Sequence, residues 1–380
     1  MTTFKCSKPL TFGIEMELQI IRDADGLLSP SCMALMEQLP DTSRGLFMPE
    51  ATQSTIEFVS TVHNDVDDML NEAIEHVTVL KQIAVDMQLN LRGGGNHAMH
   101  FWNDRILSET ERSGMLQKKY GFLPKRFSTY GLHVHVGMPG ANDAIKVGNV
   151  LQKLTPMFIA LAASSPFHQG METGFSASRP LESLVYPFSG PMPLFEDWDD
   201  FQSKSSDIYK TGLASSLKDL YWDVRPKPEF GTIEVRSFDM PLQVEKAVAL
   251  AVFVRRCAAL ALNDVLKVPE KPIFNLDQCN RFLACRDGIE AELINPFTGQ
   301  RVRMTHWFLS ILELVRTAGL PGRESSFLTW LEHAVIERDD ATWMRKLWRE
   351  TGGDGQKNLH TYCAQISAVL LQRSTMLAAV

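Results

Sequence analysis

The sequence predicts an α+β fold whose sheet carries the chemistry. Four short stretches alternate apolar and polar residues with the period of two that a strand requires. Helices follow strands, with hairpin-like segments between them, an order that fits α+β better than a doubly wound sheet. Beyond Val268 helical patterning dominates.

The elements can be justified in order. In Thr11–Ile20, Phe12, Ile14, Met16, Leu18 and Ile20 share one face and Glu15 and Glu17 the other. A turn at Asp23–Gly26 and an irregular stretch to Pro49 follow. In Gln53–Val59, Ile56 and Phe58 alternate with Glu57. Val66–Met87 has apolar residues at the three- and four-residue spacing of an amphipathic helix. Leu89–Leu91 is a short strand ending in the glycine run Gly93–Gly95, which serves as a close-approach loop for substrate or as a plain turn. In Gly131–Gly137, Leu132, Val134 and Val136 alternate with His133 and His135.

Ala141–Ala163 is a second amphipathic helix, with a kink or break expected at Pro156. Gly170–Asp200 is proline-rich and loop-like. In Gly231–Ser237, Ile233 and Val235 alternate with Glu234 and Arg236, and a helix follows over Val244–Leu262. The tail shows helices around Thr305–Ala318, Ser326–Arg338 and His360–Met376. No linker or repeat divides the chain. It is expected to be a single domain, with a strand-bearing core over about residues 1–265 and a helical part over about 266–380.

Composition narrows the function. The chain has 380 residues, 44% hydrophobic and 22% charged, with a formal net charge of −7. No Lys/Arg run appears, which argues against nucleic acid and anionic membranes as partners. The six cysteines are scattered, as in a reduced chain, and Cys279 and Cys285 are expected to pack as small apolar groups. Met1–Leu10 lacks the apolar core of a signal peptide. Leu154–Phe167 holds two prolines and is too short to span a bilayer. A soluble, cytoplasmic protein is expected.

Each polar motif alone is weak. Glu15-x-Glu17 is more often a solvated strand face, and Glu234-x-Arg236 a surface pair. Their conjunction with His133-x-His135 is another matter. Carboxylates gathered on one sheet face repel one another unless cations neutralise them. Carboxylates with an imidazole and no cysteine suit Mg2+ or Mn2+ rather than structural zinc. Arg179, Arg225 and Arg236 supply forks that fit phosphate or carboxylate. No Walker loop is present, so a nucleotide would be held by metals and arginines. No nucleophilic triad spacing is recognisable.

The segments TFGIEMELQI, QSTIEFVSTV, GLHVHVG, SSPFHQGMETGFSASRP, YWDVRPKPEFGTIEVRSFD and NRFLACRDGIEA resemble the signature segments of the bacterial glutamate–cysteine ligase type 2 family of carboxylate–amine ligases. That family is similar to glutamine synthetase. The resemblance implies a curved antiparallel sheet whose concave face carries the active site, with helices on the other face. It implies that Glu15, Glu17, Glu50, Glu57, His133 and Glu234 bind metal. His135 would lie near the nucleotide phosphates and Arg236 would meet the transferred phosphate. Arg179 and Arg225 would serve phosphate or substrate carboxylate. Arg236, Glu57 and Glu234 would carry the catalysis. Only the resemblance singles out Glu50. Met16 stands where many members carry a third glutamate, and Gly95-Asn96-His97-Ala98 replaces the usual G-T-H-P.

The implied reaction is ATP-dependent. The γ-carboxylate of glutamate becomes an acyl phosphate and is coupled to an amine, cysteine in the family's name. Mg2+ or Mn2+ is the expected metal, ATP the co-substrate and a homodimer the expected assembly. Two rivals remain: a relative that binds metal–nucleotide or amino acid without turnover, and a guanidino kinase on the same type of sheet.

Overall fold

A computed structural model of the chain describes residues 3–126, 129–337, 339–352 and 358–378. Its centre is a sheet of β1 (Phe12–Arg22), β2 (Phe47–Pro49), β3 (Thr55–Val59), β4 (Leu89–Arg92), β5 (Gly131–Gly137), β6 (Val224–Lys227) and β7 (Thr232–Asp239). The order across it is β6-β7-β5-β1-β3-β2, with β4 on the far half of β1. Every pairing is antiparallel.

The alternation seen in the sequence decides which face is which. On β1, Phe12, Ile14, Met16, Leu18 and Ile20 are all buried. At about 1.5–3 kcal/mol for each such side chain, this face alone is a large driving force for docking the sheet on helices. Those helices include α1 (Val66–Asp86), α3 (Ala141–Ala162) and α4 (Val244–Leu262); α2 (Glu111–Tyr120) lies elsewhere, against the polar side. The Asp65 side chain caps α1 by accepting from the Asp67 and Asp68 amides. α4 is buried almost all round, between the sheet and helices Met304–Thr317 and Glu324–Glu337.

Several expectations are corrected. Pro156 neither kinks α3 into two elements nor ends it; the helix runs through, because residues on both sides are buried and tertiary packing outweighs one lost hydrogen bond. Residues 23–49 are not wholly irregular: helices Cys32–Gln38 and Asp41–Arg44 precede β2 and bury Cys32, Leu35 and Ser43. The acidic run at the end of the loop-like region is a helix start. Asp197 caps Trp198–Lys210 by accepting from the Asp200 amide, and Asp199 and Asp200 sit in its first turn, where negative charge is favoured.

The C-terminal part also holds a hairpin, Glu292–Ile294 with Arg301–Arg303, among its helices. The helical patterning near its end resolves into two pieces, Leu359–Val369 and Thr375–Ala378. Arg338 lies outside the described residues. Cys285 is buried as expected, whereas Cys279 is exposed. Most core residues, from Phe12 to Leu377, form one apolar cluster, and a second gathers Met192, Phe195, Trp198, Phe201 and Trp222. No helix among the described residues is long and apolar enough to cross a membrane.

Candidate active site

Strand register brings the polar residues together. Glu15 pairs with His133 across β1 and β5, and Glu17 pairs with Glu57 across β1 and β3. Glu234 pairs with His135 across β7 and β5, and with Arg225 across β7 and β6. Between Val235 and Phe238 the register on β5 shifts, marking a β-bulge at Arg236 and Ser237. The sequence carries the same slip: polar residues occupy even positions to Arg236, then Phe238 is apolar and Asp239 polar.

Glu15 lies at the centre. Its Oε2 is 2.7 Å from Nδ1 of His133 and its Oε1 is 3.1 Å from Nε2 of His135. Burial opposes ionisation of Glu15, but the two histidines outweigh it and hold the carboxyl well below the usual range. His133 is pushed down to about 4, by burial and then by the Arg236 charge. Glu17 accepts the Gly131 amide at 2.5 Å, yet burial and the neighbouring Glu50 push it up to about 7. Burial also raises Glu50, and burial joined by its carboxylate neighbours holds Glu57 well above its usual value.

Three overlapping groups have ligand atoms within 4.8 Å of one another: Glu15, Glu57 and His133; Glu15, His135 and Glu234; Glu17, Glu50 and Glu57. This donor set is carboxylate oxygen with imidazole nitrogen and no thiolate, which suits hard divalent cations. Buried carboxylates with raised pKa values are what a cation would relieve. The six predicted metal-binding residues therefore converge, Glu50 included.

The arginines separate by role. Nη1 of Arg236 contacts Oε1 of Glu234, and the side chain lines the cleft over the carboxylates. Arg225, expected at phosphate or carboxylate, spends its donors inside the protein. Its Nε and Nη2 donate to Glu234 at 2.9 and 3.3 Å, and its Nη1 to the Leu217 and Leu220 carbonyls at 3.1 Å each. Arg225 and Arg236 together hold the Glu234 carboxyl well below its usual range against the penalty of burial. Arg179 is half-buried against Gly131, where an added Cβ would overlap its guanidinium, and the charges of Glu17 and Asp239 bear on it.

The glycine run is closely packed. Gly93 and Gly95 pack against the Pro241 carbonyl and the Asp239 carboxylate, where any Cβ would collide. The Gly94 carbonyl accepts from Gln19 at 2.7 Å. The loop closes the buried end of the sheet beyond the cleft.

The cleft has a volume of about 350 Å3 and takes its far wall from α2 (Arg112, Ser113 and Leu116) and from Lys218 and Tyr221. A second, mostly apolar pocket of about 260 Å3 adjoins Glu15 and His135 and is lined by Phe12, Val62 and Phe230. The ring of Phe230 meets His135 edge-on, with centroids 6.1 Å apart. Sequence reasoning found none of the α2 residues and not Phe230. Only the apolar residue beside the Gly231 turn hinted at the latter.

An antiparallel sheet with this carboxylate–imidazole face is the glutamine synthetase-like fold. Residues 11–360 match the model of glutamate–cysteine ligase family 2, and the chain belongs to that family. A relative from Herminiimonas arsenicoxydans, provisionally named glutamate–cysteine ligase 2, is 36% identical over 93% of this chain and 96% of its own. One of the same name from Janthinobacterium sp. (strain Marseille) is 35% identical over 98% and 100%.

In fold, the chain is similar to the glutamate–cysteine ligase of Francisella tularensis solved with AMP. The TM-score is 0.68 at 13% identity, over 100% of this chain and 92% of that one. A bifunctional glutathione synthetase from Pasteurella multocida gives a TM-score of 0.67 at 12% identity, over 94% of this chain and 52% of that one.

Proposed function

We propose that this ligase uses ATP to activate the γ-carboxylate of glutamate and couples it to an amine, with cysteine the acceptor its family name suggests. The convergence of three carboxylate-rich groups, two of them with an imidazole, beside one arginine-lined cleft carries this reading. The products would be γ-glutamylcysteine, ADP and phosphate.

Glu15, Glu17, Glu50, Glu57, His133 and Glu234 would hold Mg2+ or Mn2+. Such ions, when bound, neutralise phosphate charge and let an anionic carboxylate approach it. The chain's own residues do the rest. The apolar pocket beside His135 accepts the nucleotide base, with Phe230 against its face, which leaves the phosphates over Glu15 and Glu234. His135 stands where it can bond a phosphate oxygen. Arg179, half-buried and charged beside Glu17, holds a carboxylate of the donor acid.

A γ-carboxylate oxygen of that acid attacks the terminal phosphorus, and the bond to the ADP oxygen breaks. Arg236 balances the charge that builds on the transferred group. The amine nitrogen then attacks the acyl carbon, phosphate leaves with the bonding pair, and the nitrogen gives up a proton. Arg225, which also lines the cleft, acts by fixing Glu234. We also assign the chain one catalytic domain, a cytoplasmic location and a homodimeric assembly.

ADP release measured with glutamate, with and without a panel of amines, tests the proposal. Amine-dependent ADP release with amide formation supports it. Nucleotide binding without turnover would instead favour a binding relative, and a phosphorylated guanidinium product without amide would favour the kinase.

A further inference from the structure

Glu234 is the candidate metal ligand most firmly held by neighbouring side chains. Its carboxylate is buried, and the planar fork of Arg225 grips both oxygens. The remaining amino group of that fork, Nη1, is anchored to two main-chain carbonyls, those of Leu217 and Leu220. Both lie in one turn, and Asp219 shapes that turn. The Asp219 carboxylate accepts the Ser215 amide at 2.8 Å and the Ser215 hydroxyl at 3.0 Å, while its own amide donates to the Ser216 carbonyl at 3.0 Å.

The same carboxylate also faces α2. Nη1 of Arg112 is 3.5 Å from its Oδ1, and Nζ of Lys119 is 3.6 Å from its Oδ2. Arg112 further donates from Nη2 to the Lys218 carbonyl at 2.9 Å. The Asp219 side chain is only 6% exposed, so solvent screens these attractions less than it would at an open surface. Thus α2, which walls the cleft opposite the sheet, is tied to the sheet's own metal-ligand candidate through three links.

We propose that Asp219 is a positioning residue that couples the placement of α2 to the carboxylate of Glu234. A guanidinium is a rigid fork. If the turn shifts, the Leu217 and Leu220 carbonyls drag Nη1, the plane of Arg225 rotates, and both Glu234 oxygens move with it. Groups that orient a metal-binding side chain in this way set the affinity of the site. The inference rests on the reading of Glu234 as a metal ligand, but not on any particular acceptor.

The test is binding of Mn2+ alone to the full chain, followed by the electron paramagnetic resonance signal of the free ion. Arg225→Lys should weaken binding about tenfold. Asp219→Asn and Lys119→Met should each weaken it about threefold, with melting temperatures near that of the wild type. The Asp219→Asn/Arg225→Lys double variant should bind no more weakly than Arg225→Lys alone, because both act on one path. Mn2+ binding by Asp219→Asn equal to wild type, or additive losses in the double variant, would overturn the proposal. Should Asp219→Asn fold poorly, Lys119→Met carries the same test from the α2 side. The ligase reading fails by a different sign: no ADP release from a wild-type chain that binds Mn2+.

Discussion

Glu17 and Glu57 stand directly opposite each other across β1 and β3, and both are buried. Two facing carboxylates in a low-dielectric site hold protons in preference to ionising together. Burial and Glu50 carry Glu17 up to about 7, and Glu57 lies well above its usual value. A carboxyl raised in the folded state contributes stability that is lost as pH rises through the folded pKa. His133, held down at about 4, works oppositely, but only below its unfolded value near 6.5. Without metal, the melting temperature should therefore fall as pH rises from about 6.5 through 7. Mg2+ should offset that loss increasingly across the same window, because binding requires the ionised form. Thermal unfolding with and without Mg2+ checks this, and a flat profile in its absence would count against buried, protonated carboxylates.

Glu234 calls for a gentle substitution. Alanine would leave the buried Arg225 without its carboxylate partner, at a cost of about 3–5 kcal/mol. Glu234→Gln keeps the shape and one acceptor. It should lower ADP release on the order of 100-fold while circular dichroism shows the native fold. Activity within twofold of wild type would remove Glu234 from the site.

In the proposed reaction Arg236, which lines the cleft, meets the transferred group. Arg236→Met should reduce kcat on the order of 1000-fold, as for arginines that stabilise phosphoryl transfer, with a smaller change in KM for glutamate. A loss confined to KM would mean that Arg236 binds the donor acid instead.

Phe230 tests the base pocket. An aromatic face against a base contributes about 1–3 kcal/mol. Phe230→Ala should raise KM for ATP about tenfold and leave KM for glutamate unchanged. An unaltered KM for ATP would place the base elsewhere.

Much of the site was legible because strand periodicity is local. The faces of β1, β3, β5 and β7 follow from their own residues, and so do the chemical types aligned on them. The slip from Arg236 to Phe238 even encodes the bulge. Helices α1 and α4 follow from the spacing of their apolar residues to within a residue at each end. Glu50 had no such signal, since it lies just past the short strand β2 and outside any alternation. The helix of α2 was also missed, because its apolar residues are few and it earns its place by lining the cleft.

By itself, then, the sequence determined that a sheet would present carboxylates, imidazoles and arginines on one face and an apolar layer on the other. The tertiary structure decided which of those groups meet. Strand order sets Glu15 against two histidines and Glu17 against Glu57, and pairing of β6 with β7 sets Arg225 against Glu234. The physical reason is that a side chain's direction is fixed within a few bonds. Its partner is fixed by burial and hydrogen bonding between segments more than a hundred residues apart, as Glu15 and His133 are.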